Sequence, residues 1–375
     1  MRVIGAAVVG TGFIGPVHVE AVRRLGHRVV GVVASSPAKS RAAADALGLE
    51  EGFPDLAAAL ADPRVEVVHL ASPNVAHFAQ CRQVLSAGKH VLCEKPLAMT
   101  SVETAELVRL ADAAGVVAAV AYNCRFYPQV LAARERVRQG LVGDVFHVSG
   151  SYLQDWLLEP TDFNWRVLAE HGGELRAVAD IGTHWLDLVQ FVTGQEVEAV
   201  CADLRTVHPV RQRPVGGGET FGGVATGERV PVSVTTDDYG SVLFRLSGGG
   251  GGCVTVSQVT AGRKNCIRFD LAGSKEAVWW DSEEPNTLHV GKRDAVSVVP
   301  RGVGPLSDYP PGHAEGFPDT FKMLCRAVYA DVASVASGGR KPTEGLYATF
   351  ADGHREVLVC EAVLRSHRER RWVDV

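Results

Sequence analysis

The sequence predicts an α/β domain with a doubly wound parallel sheet over residues 1–123, followed by an α+β domain over residues 124–375. Three observations carry that reading. Through residue 121, short β-branched apolar runs alternate with helical stretches. Those runs are apolar along most of their length rather than at every second residue, so helices cover both faces of the sheet and its strands run parallel. Beyond residue 123 the alternation stops, and strands separated by turns take over, the pattern of an antiparallel sheet.

Each element has its own warrant. Residues 3–9 form an apolar run stopped by Gly10, as a buried strand is. A helix over 14–25 puts Ile14, Val17, Ala21, Val22 and Leu25 on one face, with Pro16 near its start. Residues 28–34 are a second strand; Ser36 then offers an N-cap and Pro37 a first helical residue for a helix over 38–47. A strand at 65–71 precedes a helix over 75–87 ended by Gly88, and a strand at 90–93 follows. Thr100 and Glu103 suit a capping box for a helix to about 114, and 116–121 is a fifth strand. Right-handed crossovers leave a Rossmann-type sheet as the topology. In the second domain, helices are expected over 128–140, 180–193, 315–337 and 352–369. Strands are expected at 144–152, 197–207, 230–236, 241–246, 252–259, 266–271 and 277–280, within a strand-and-turn region reaching about 299. The turn-rich runs 215–228 and 248–252 are expected to be mobile.

Composition bounds the function. The chain has 375 residues, enough for two or three domains. With 46% hydrophobic and 22% charged residues, it is neither disordered nor a small stapled scaffold. A net charge of −5 fits neither nucleic acid nor an anionic membrane as partner. The 8 cysteines contain no C-x-x-C and read as buried thiols of a reducing compartment. No run of ~18 uncharged apolar residues marks a membrane span. The opening MRVIGAAVVGTGFIG imitates a signal peptide, but glycines break it and no A-x-A follows, so a cytoplasmic protein is expected.

Gly10-Thr11-Gly12-Phe13-Ile14-Gly15 fits G-x-G-x-x-G directly after a predicted strand and at the opening of a helix. In that context the first glycine turns the chain, the second lets backbone approach a pyrophosphate, and the third lets helix pack on strand. The phosphates would face the free N–H groups of the helix start. At the end of the second strand a carboxylate would accept from the ribose of NAD. Here stand Ala34, Ser35 and Ser36, then Lys39 and Arg41, which favours NADP over NAD; alternatively, Ser36 only caps the helix. Ser72, Pro73 and Asn74 follow the third strand at the carboxyl end, where Asn74 could cap a helix or touch the cofactor. His77 on the next helix is either a surface residue or a cofactor neighbour.

Glu94-Lys95-Pro96 ends a central strand, so Lys95 faces the cofactor crevice. A partly desolvated lysine there suits proton transfer; the alternative is a lysine paired with a cofactor phosphate. Asp180 and His184 are four apart and share a helical face, a carboxylate beside an imidazole suited to acid/base work on a secondary alcohol. An N-cap with a buried histidine is the other reading, and no third ligand stands at metal spacing. Tyr152, Asp155, Trp156, Asp162, Asn164, Trp165 and Arg166 crowd one stretch. Flat rings with short polar groups suit a polyhydroxylated ligand, or else the tryptophans pack into an interface.

The glycine loop, Ser-Pro-Asn-x-x-His at 72–77, Gly-Lys-His-Val-x-x-Glu-Lys-Pro at 88–96, Arg125-Phe-x-Pro128 and Asp180-x-Gly-x-His184 occur in this order. Together they resemble the glucose–fructose oxidoreductase / inositol dehydrogenase / rhizopine-catabolism (Gfo/Idh/MocA) family, end to end, with weaker likeness at Pro342-Thr343 and Asp352-Gly353. The resemblance implies an NAD(P)-binding Rossmann domain and a second domain with a large, mostly antiparallel open sheet often used for oligomer contacts. It implies catalytic Lys95 and His184 assisted by Asp180, and a Lys–Pro bond that tends to be cis. One departure is His171-Gly172-Gly173-Glu174, with a longer run to Asp180, where the family commonly has three glycines; this loop is expected to shape the substrate pocket.

The expectation is therefore an NAD(P)-dependent oxidoreductase, dimeric or tetrameric, acting on a secondary alcohol or ketone of a sugar, polyol or glycoside. Lys95, His184 and Asp180 would be catalytic. Gly10, Gly12, Phe13, Ile14, Gly15, Ser35, Ser36, Lys39, Ser72, Pro73, Asn74, His77, Glu94 and Lys95 would hold the cofactor. Lys95, Asn123, Trp156, Trp165, Arg166, Asp180 and His184 would meet substrate, with no metal. The alternatives are an imine or enone reductase, a cofactor-assisted glycoside cleavage, or a non-catalytic dinucleotide-binding regulator.

Overall fold

The computed structural model describes residues 2–215, 227–304, 307–339, 341 and 345–375. The chain divides into two compact units, Met1–Phe126 with Phe317–Val357, and Tyr127–Gly316 with Leu358–Val375.

In the first unit, strand and helix alternate: β1 (Gly5–Val9), α1 (Ile14–Arg24), β2 (Arg28–Val33), α2 (Pro37–Leu47), β3 (Glu51–Phe53), α3 (Leu56–Ala61), β4 (Val67–Leu70), α4 (Asn74–Ser86), β5 (His90–Cys93), α5 (Ser101–Ala114) and β6 (Ala118–Val120). The strands pair in parallel in the order β6-β5-β4-β1-β2-β3. The strand order reverses between β1 and β4, and ligands bind outside the carboxyl ends of such strands. Those ends carry Gly10, Ser72 and Glu94. Every residue of β1 and β4 is buried, the polar His69 of β4 included. Ser36 caps α2 by accepting from the Lys39 amide, and Thr100 and Glu103 form the capping box of α5. β3 and α3 were not anticipated; both are short, and α3 rests on an Asp55 cap.

The second unit holds α6 (Pro128–Arg138), β7 (Val145–Leu153), α7 (Ala169–Gly172), α8 (Thr183–Thr193), β8 (Val197–Arg205), β9 (Val210–Pro214), β10 (Arg229–Ser233), β11 (Tyr239–Leu246), β12 (Gly251–Ser257), β13 (Cys266–Gly273), β14 (Ala277–Asp281), β15 (Thr287–Lys292) and β16 (Ala295–Pro300). Eight of these strands form a sheet in the order β16-β15-β14-β13-β7-β12-β11-β8, antiparallel except for β12 beside β7. Alternation along β11 buries Val242, Phe244 and Leu246 while Ser241, Leu243 and Arg245 are exposed. α6 and α8 cover the buried face. Trp185 of α8 is fully buried there and donates from Nε1 to Arg268 O at 2.7 Å. The opposite face is open, with Leu243, Val296 and Val298 exposed.

Two expectations need correction. β10 pairs with the unanticipated β9 in a separate two-stranded ribbon, because Arg211, Gln212 and Arg213 give β9 no apolar alternation to read. The run 248–252 is not all turn: it closes the β11–β12 hairpin, and Gly251 and Gly252 already pair with Arg245 and Phe244. Of the run 215–228, residues 216–226 lie outside the described residues, as do Pro342 and Thr343.

The chain ends in α9 (Phe317–Ala336), β17 (Ala348–Thr349), α10 (Phe350–Glu369) and β18 (Val373–Asp374). α9 packs on α1, and β17 adds antiparallel to β6, so residues 317–357 return to the first unit; a division at residue 123 did not anticipate this. β18 extends the large sheet beside β8. No helix among the described residues is long and apolar enough to cross a membrane. The eight cysteines form no disulfide; Cys253 is exposed on the open sheet face and Cys201 is half-buried, where all had been expected to be buried.

Candidate active site

The glycine loop has the geometry its pattern predicts. Gly10 has φ +102°, and a Cβ there would lie 2.2 Å from Ala71 O, so only glycine turns the chain at this point. A Cβ on Gly15 would lie 2.2 Å from Gly10 O, which lets α1 pack against β1. A Cβ on Gly12 meets nothing within 4 Å: the backbone is open on the side a pyrophosphate would approach. Phe13 offers no side-chain cap to α1, no acidic residue stands in its first turn, and the helix start suits an anion. Phe13 is exposed and Ile14 half-buried. These residues fit a dinucleotide.

At the end of β2, Ser40 Oγ accepts from the Ala34 amide at 2.8 Å and the Ser36 hydroxyl is the α2 cap. Ser35 and Lys39 are exposed. Arg41 is committed elsewhere: its Nη2 is 2.6 Å from Asp45 Oδ1, and its Nη1 donates to Glu50 O. The Ser72 hydroxyl donates to Gln80 Oε1 at 2.5 Å, Pro73 precedes α4, and Asn74 is its first residue.

His77, expected either at the surface or beside the cofactor, is fully buried. Its Nδ1 lies 2.7 Å from Pro96 O and its Nε2 2.9 Å from Ser72 O. Both ring nitrogens thus face backbone carbonyl oxygens of the two loops; burial lowers the ring's pKa, and a neutral imidazole donates to only one of the two. The Lys95–Pro96 bond is cis, and Lys95 is half-buried just past β5. The Glu94 carboxylate is buried against His18 Nε2 at 3.1 Å. Asn123 is buried, and its Nδ2 donates to Thr320 Oγ1 at 2.8 Å.

In the second unit, Asp180 and His184 are not on one α-helix. Val178–Gly182 form a π turn, closed by the Thr183 amide bonding Val178 O, and α8 starts at Thr183. Asp180 Oδ2 accepts from Gln258 Nε2 at 2.8 Å, and Oδ1 lies 3.4 Å from Arg166 Nε. Gln258, buried beyond β12, went unrecognised, since nothing local marks a residue 78 positions away. Arg166 also stacks over the Trp165 ring at 4.4 Å. His184 is buried, with the Tyr152 ring edge-on at 6.2 Å. Of the crowded stretch, Tyr152 donates to Asn265, Asp155 holds Lys264, and Asp162 and Asn164 accept from nearby amides. Trp156, Trp165 and Arg166 are half-buried. The atypical loop packs tightly, for a Cβ on Gly172 would lie 2.9 Å from Arg166 O.

Beneath Asp180, Arg176 and Arg211 both bond the fully buried Asp238. Burial pushes the neighbouring Asp237 up to about 6, against the amides of Arg176 and Val178 that donate to it. Among the described residues, Cys266, Asp281 and Glu283 bring ligand-type atoms within 4.8 Å of one another. Arg263 already pairs with Glu283, and burial together with the two carboxylates pushes the Cys266 thiol up to about 12.

Comparison with known proteins agrees with this geometry. Residues 4–122 match the family described as oxidoreductase family, NAD-binding Rossmann fold, and residues 130–278 match the GFO/IDH/MocA C-terminal domain. Levoglucosan dehydrogenase of Pseudarthrobacter phenanthrenivorans is 29% identical, the match covering 100% of this chain and 99% of that protein. The crystal structure of an oxidoreductase domain protein from Kribbella flavida has a TM-score of 0.88 and 31% identity, covering 100% of both chains. Levoglucosan dehydrogenase in complex with NADH and levoglucosan has a TM-score of 0.87 and 27% identity, covering 100% of this chain and 99% of that one. The chain belongs to the Gfo/Idh/MocA family of oxidoreductases.

Proposed function

We propose that this Gfo/Idh/MocA oxidoreductase transfers hydride between a nicotinamide dinucleotide and a secondary alcohol or ketone of a sugar, polyol or glycoside. The observation that carries the reading is Lys95, half-buried at the carboxyl end of β5, in the same Rossmann unit as a glycine loop left open at Gly12. The nicotinamide, when bound, takes the hydride from the carbinol carbon or returns it.

In the oxidative direction the hydroxyl proton passes to the chain, and Lys95 and His184 handle it. The cationic surroundings favour the developing alkoxide. Asp180, held by Gln258 and Arg166, orients these groups and the substrate. Trp156 and Trp165 would take the C–H face of a sugar ring, and Arg166 a hydroxyl. Asn123 supports substrate through its Thr320-anchored amide.

For the dinucleotide we favour NADP. No carboxylate ends β2, and Ser35, Ser36 and Lys39 suit a 2′-phosphate. NAD is the second reading, favoured by a relative crystallised with NADH. We further read the protein as a cytoplasmic homo-oligomer, dimer or tetramer, whose contacts use the open sheet face with Leu243, Val296 and Val298.

The test is the reduced-nicotinamide absorbance band of the purified protein with NAD or NADP and levoglucosan, D-xylose, myo-inositol and related glycosides. A rise in any mixture supports the reading and fixes the dinucleotide. A flat panel from protein that binds NADPH moves the assignment to an imine or enone reductase, a glycoside cleavage or a regulator.

A further inference from the structure

Behind the Lys95 turn, within the first unit, lies a line of buried polar side chains. Glu94 follows β5 and directly precedes Lys95. His18 of α1, His69 of β4 and Tyr329 of α9 are exposed by only 0%, 0% and 2%. The series is unbroken. Glu94 Oε1 is 3.1 Å from His18 Nε2, His18 Nδ1 is 2.9 Å from His69 Nδ1, and His69 Nε2 is 2.9 Å from the Tyr329 hydroxyl. Glu94 Oε2 folds back on the Lys95 amide, which donates to it at 3.4 Å.

The chemistry of the four groups sets the direction of every bond. An ionised carboxylate only accepts, so His18 donates from Nε2 to Glu94. A neutral His18 then accepts at Nδ1, so His69 donates from its own Nδ1. His69 Nε2 is left as an acceptor, and the Tyr329 O–H donates to it. The rival arrangement makes His18 an imidazolium that donates at both nitrogens. His69 would then turn its Nε2–H toward Tyr329. The phenol proton, whose hydrogen-bond partner among the described residues is His69, would be buried without an acceptor, at a desolvation cost. Burial and the adjacent His18 ring hold His69 well below the usual imidazole range, and burial holds Tyr329 well above the usual phenol range. Both stay uncharged in either arrangement, so the acceptor for the Tyr329 proton decides between them.

We propose that His18, His69 and Tyr329 form a one-directional hydrogen-bond relay that pins the Glu94 carboxylate against the Lys95 turn, making His18 and Tyr329 positioning residues for the lysine. The inference rests on the reading of Lys95 as a proton-handling group. His18 lies on the helix that opens at the glycine loop, so the relay also ties the dinucleotide-binding helix to that turn.

Two measurements test it. A neutron crystal structure of the full chain should show deuterons on His18 Nε2 and His69 Nδ1, with His18 Nδ1 and His69 Nε2 bare. A deuteron on His69 Nε2, or on both nitrogens of His18, overturns the relay. Turnover is then measured with whichever of levoglucosan, D-xylose or myo-inositol reacts fastest. Tyr329→Phe, which keeps the ring, should lower kcat by about 10- to 100-fold with the NADPH Kd unchanged. It should have no further effect in a Lys95→Ala background. Unchanged kcat in Tyr329→Phe overturns the positioning role even where Lys95→Ala collapses turnover. Full turnover in Lys95→Ala, or no turnover of the panel at all, fails the reading of Lys95 instead. The neutron result needs no substrate and decides the relay in either case.

Discussion

Gly10 and Gly12 stand two residues apart in one loop, yet the structure predicts opposite consequences for alanine at each. At Gly10, φ +102° is strained for an L-residue and the new Cβ would lie 2.2 Å from Ala71 O, an overlap that only a backbone shift relieves. Strain of about 1–3 kcal/mol with a comparable packing cost gives a loss of about 2–6 kcal/mol. That is roughly 5–25 °C in Tm for a unit of this size. At Gly12 the Cβ meets nothing within 4 Å, so the folded chain should lose less than about 0.5 kcal/mol. The methyl would instead stand where a pyrophosphate approaches, weakening dinucleotide binding about tenfold or more. Thermal melts and fluorescence titration with NADPH and NADH separate the two effects. Gly12→Ala that binds both dinucleotides at full affinity, or that melts as low as Gly10→Ala, would overturn the assignment of Gly12 to the pyrophosphate.

Three further outcomes follow from the same geometry. Because burial raises Asp237 to about 6 in the folded chain, its stabilising contribution is present below about pH 4 and is lost as pH rises through 6. Urea midpoints should therefore show wild type losing about 2–3 kcal/mol relative to Asp237→Asn between pH 4 and pH 7.5, and a difference independent of pH would contradict it. Gln258→Leu removes the amide that donates to Asp180 and should lower kcat about tenfold without changing NADPH affinity, as steady-state kinetics with binding titrations will show. Ser36→Asp keeps a good N-cap while placing a carboxylate at the end of β2. It should weaken NADPH binding about tenfold or more with Tm held within about 2 °C, measured by titration and melting.

Much of the first unit was legible because its signals are local. Val8, Val9, Leu70 and Cys93 lie in apolar runs that need both faces covered, and Thr100 with Glu103 marks a helix start within four residues. The glycine loop was legible for the same reason: Gly10 and Gly15 are dictated by contacts within one strand–turn–helix and its neighbour. What stayed hidden depends on partners distant in sequence. Ala348 and Thr349 pair with β6, yet two residues carry no strand period. β9 is polar because it pairs in a ribbon outside the large sheet. Asp180 and His184 were found by spacing, but spacing does not report that the turn between them is π rather than α. His77 was recognised as a site residue without its role, since only coordinates reveal that both ring nitrogens meet backbone carbonyls. Periodicity records that a side chain is buried; it does not record what faces it, which is why Gln258, His18 and Tyr329 drew no attention.

The role of Lys95 in handling the proton of a hydride transfer on a carbinol carbon is tested by comparing wild type and Lys95→Ala through the appearance of reduced nicotinamide, with NADPH affinity measured alongside. Turnover should fall by ~10²–10⁴-fold with the dinucleotide still bound nearly as tightly. Equal turnover in the two proteins would contradict it.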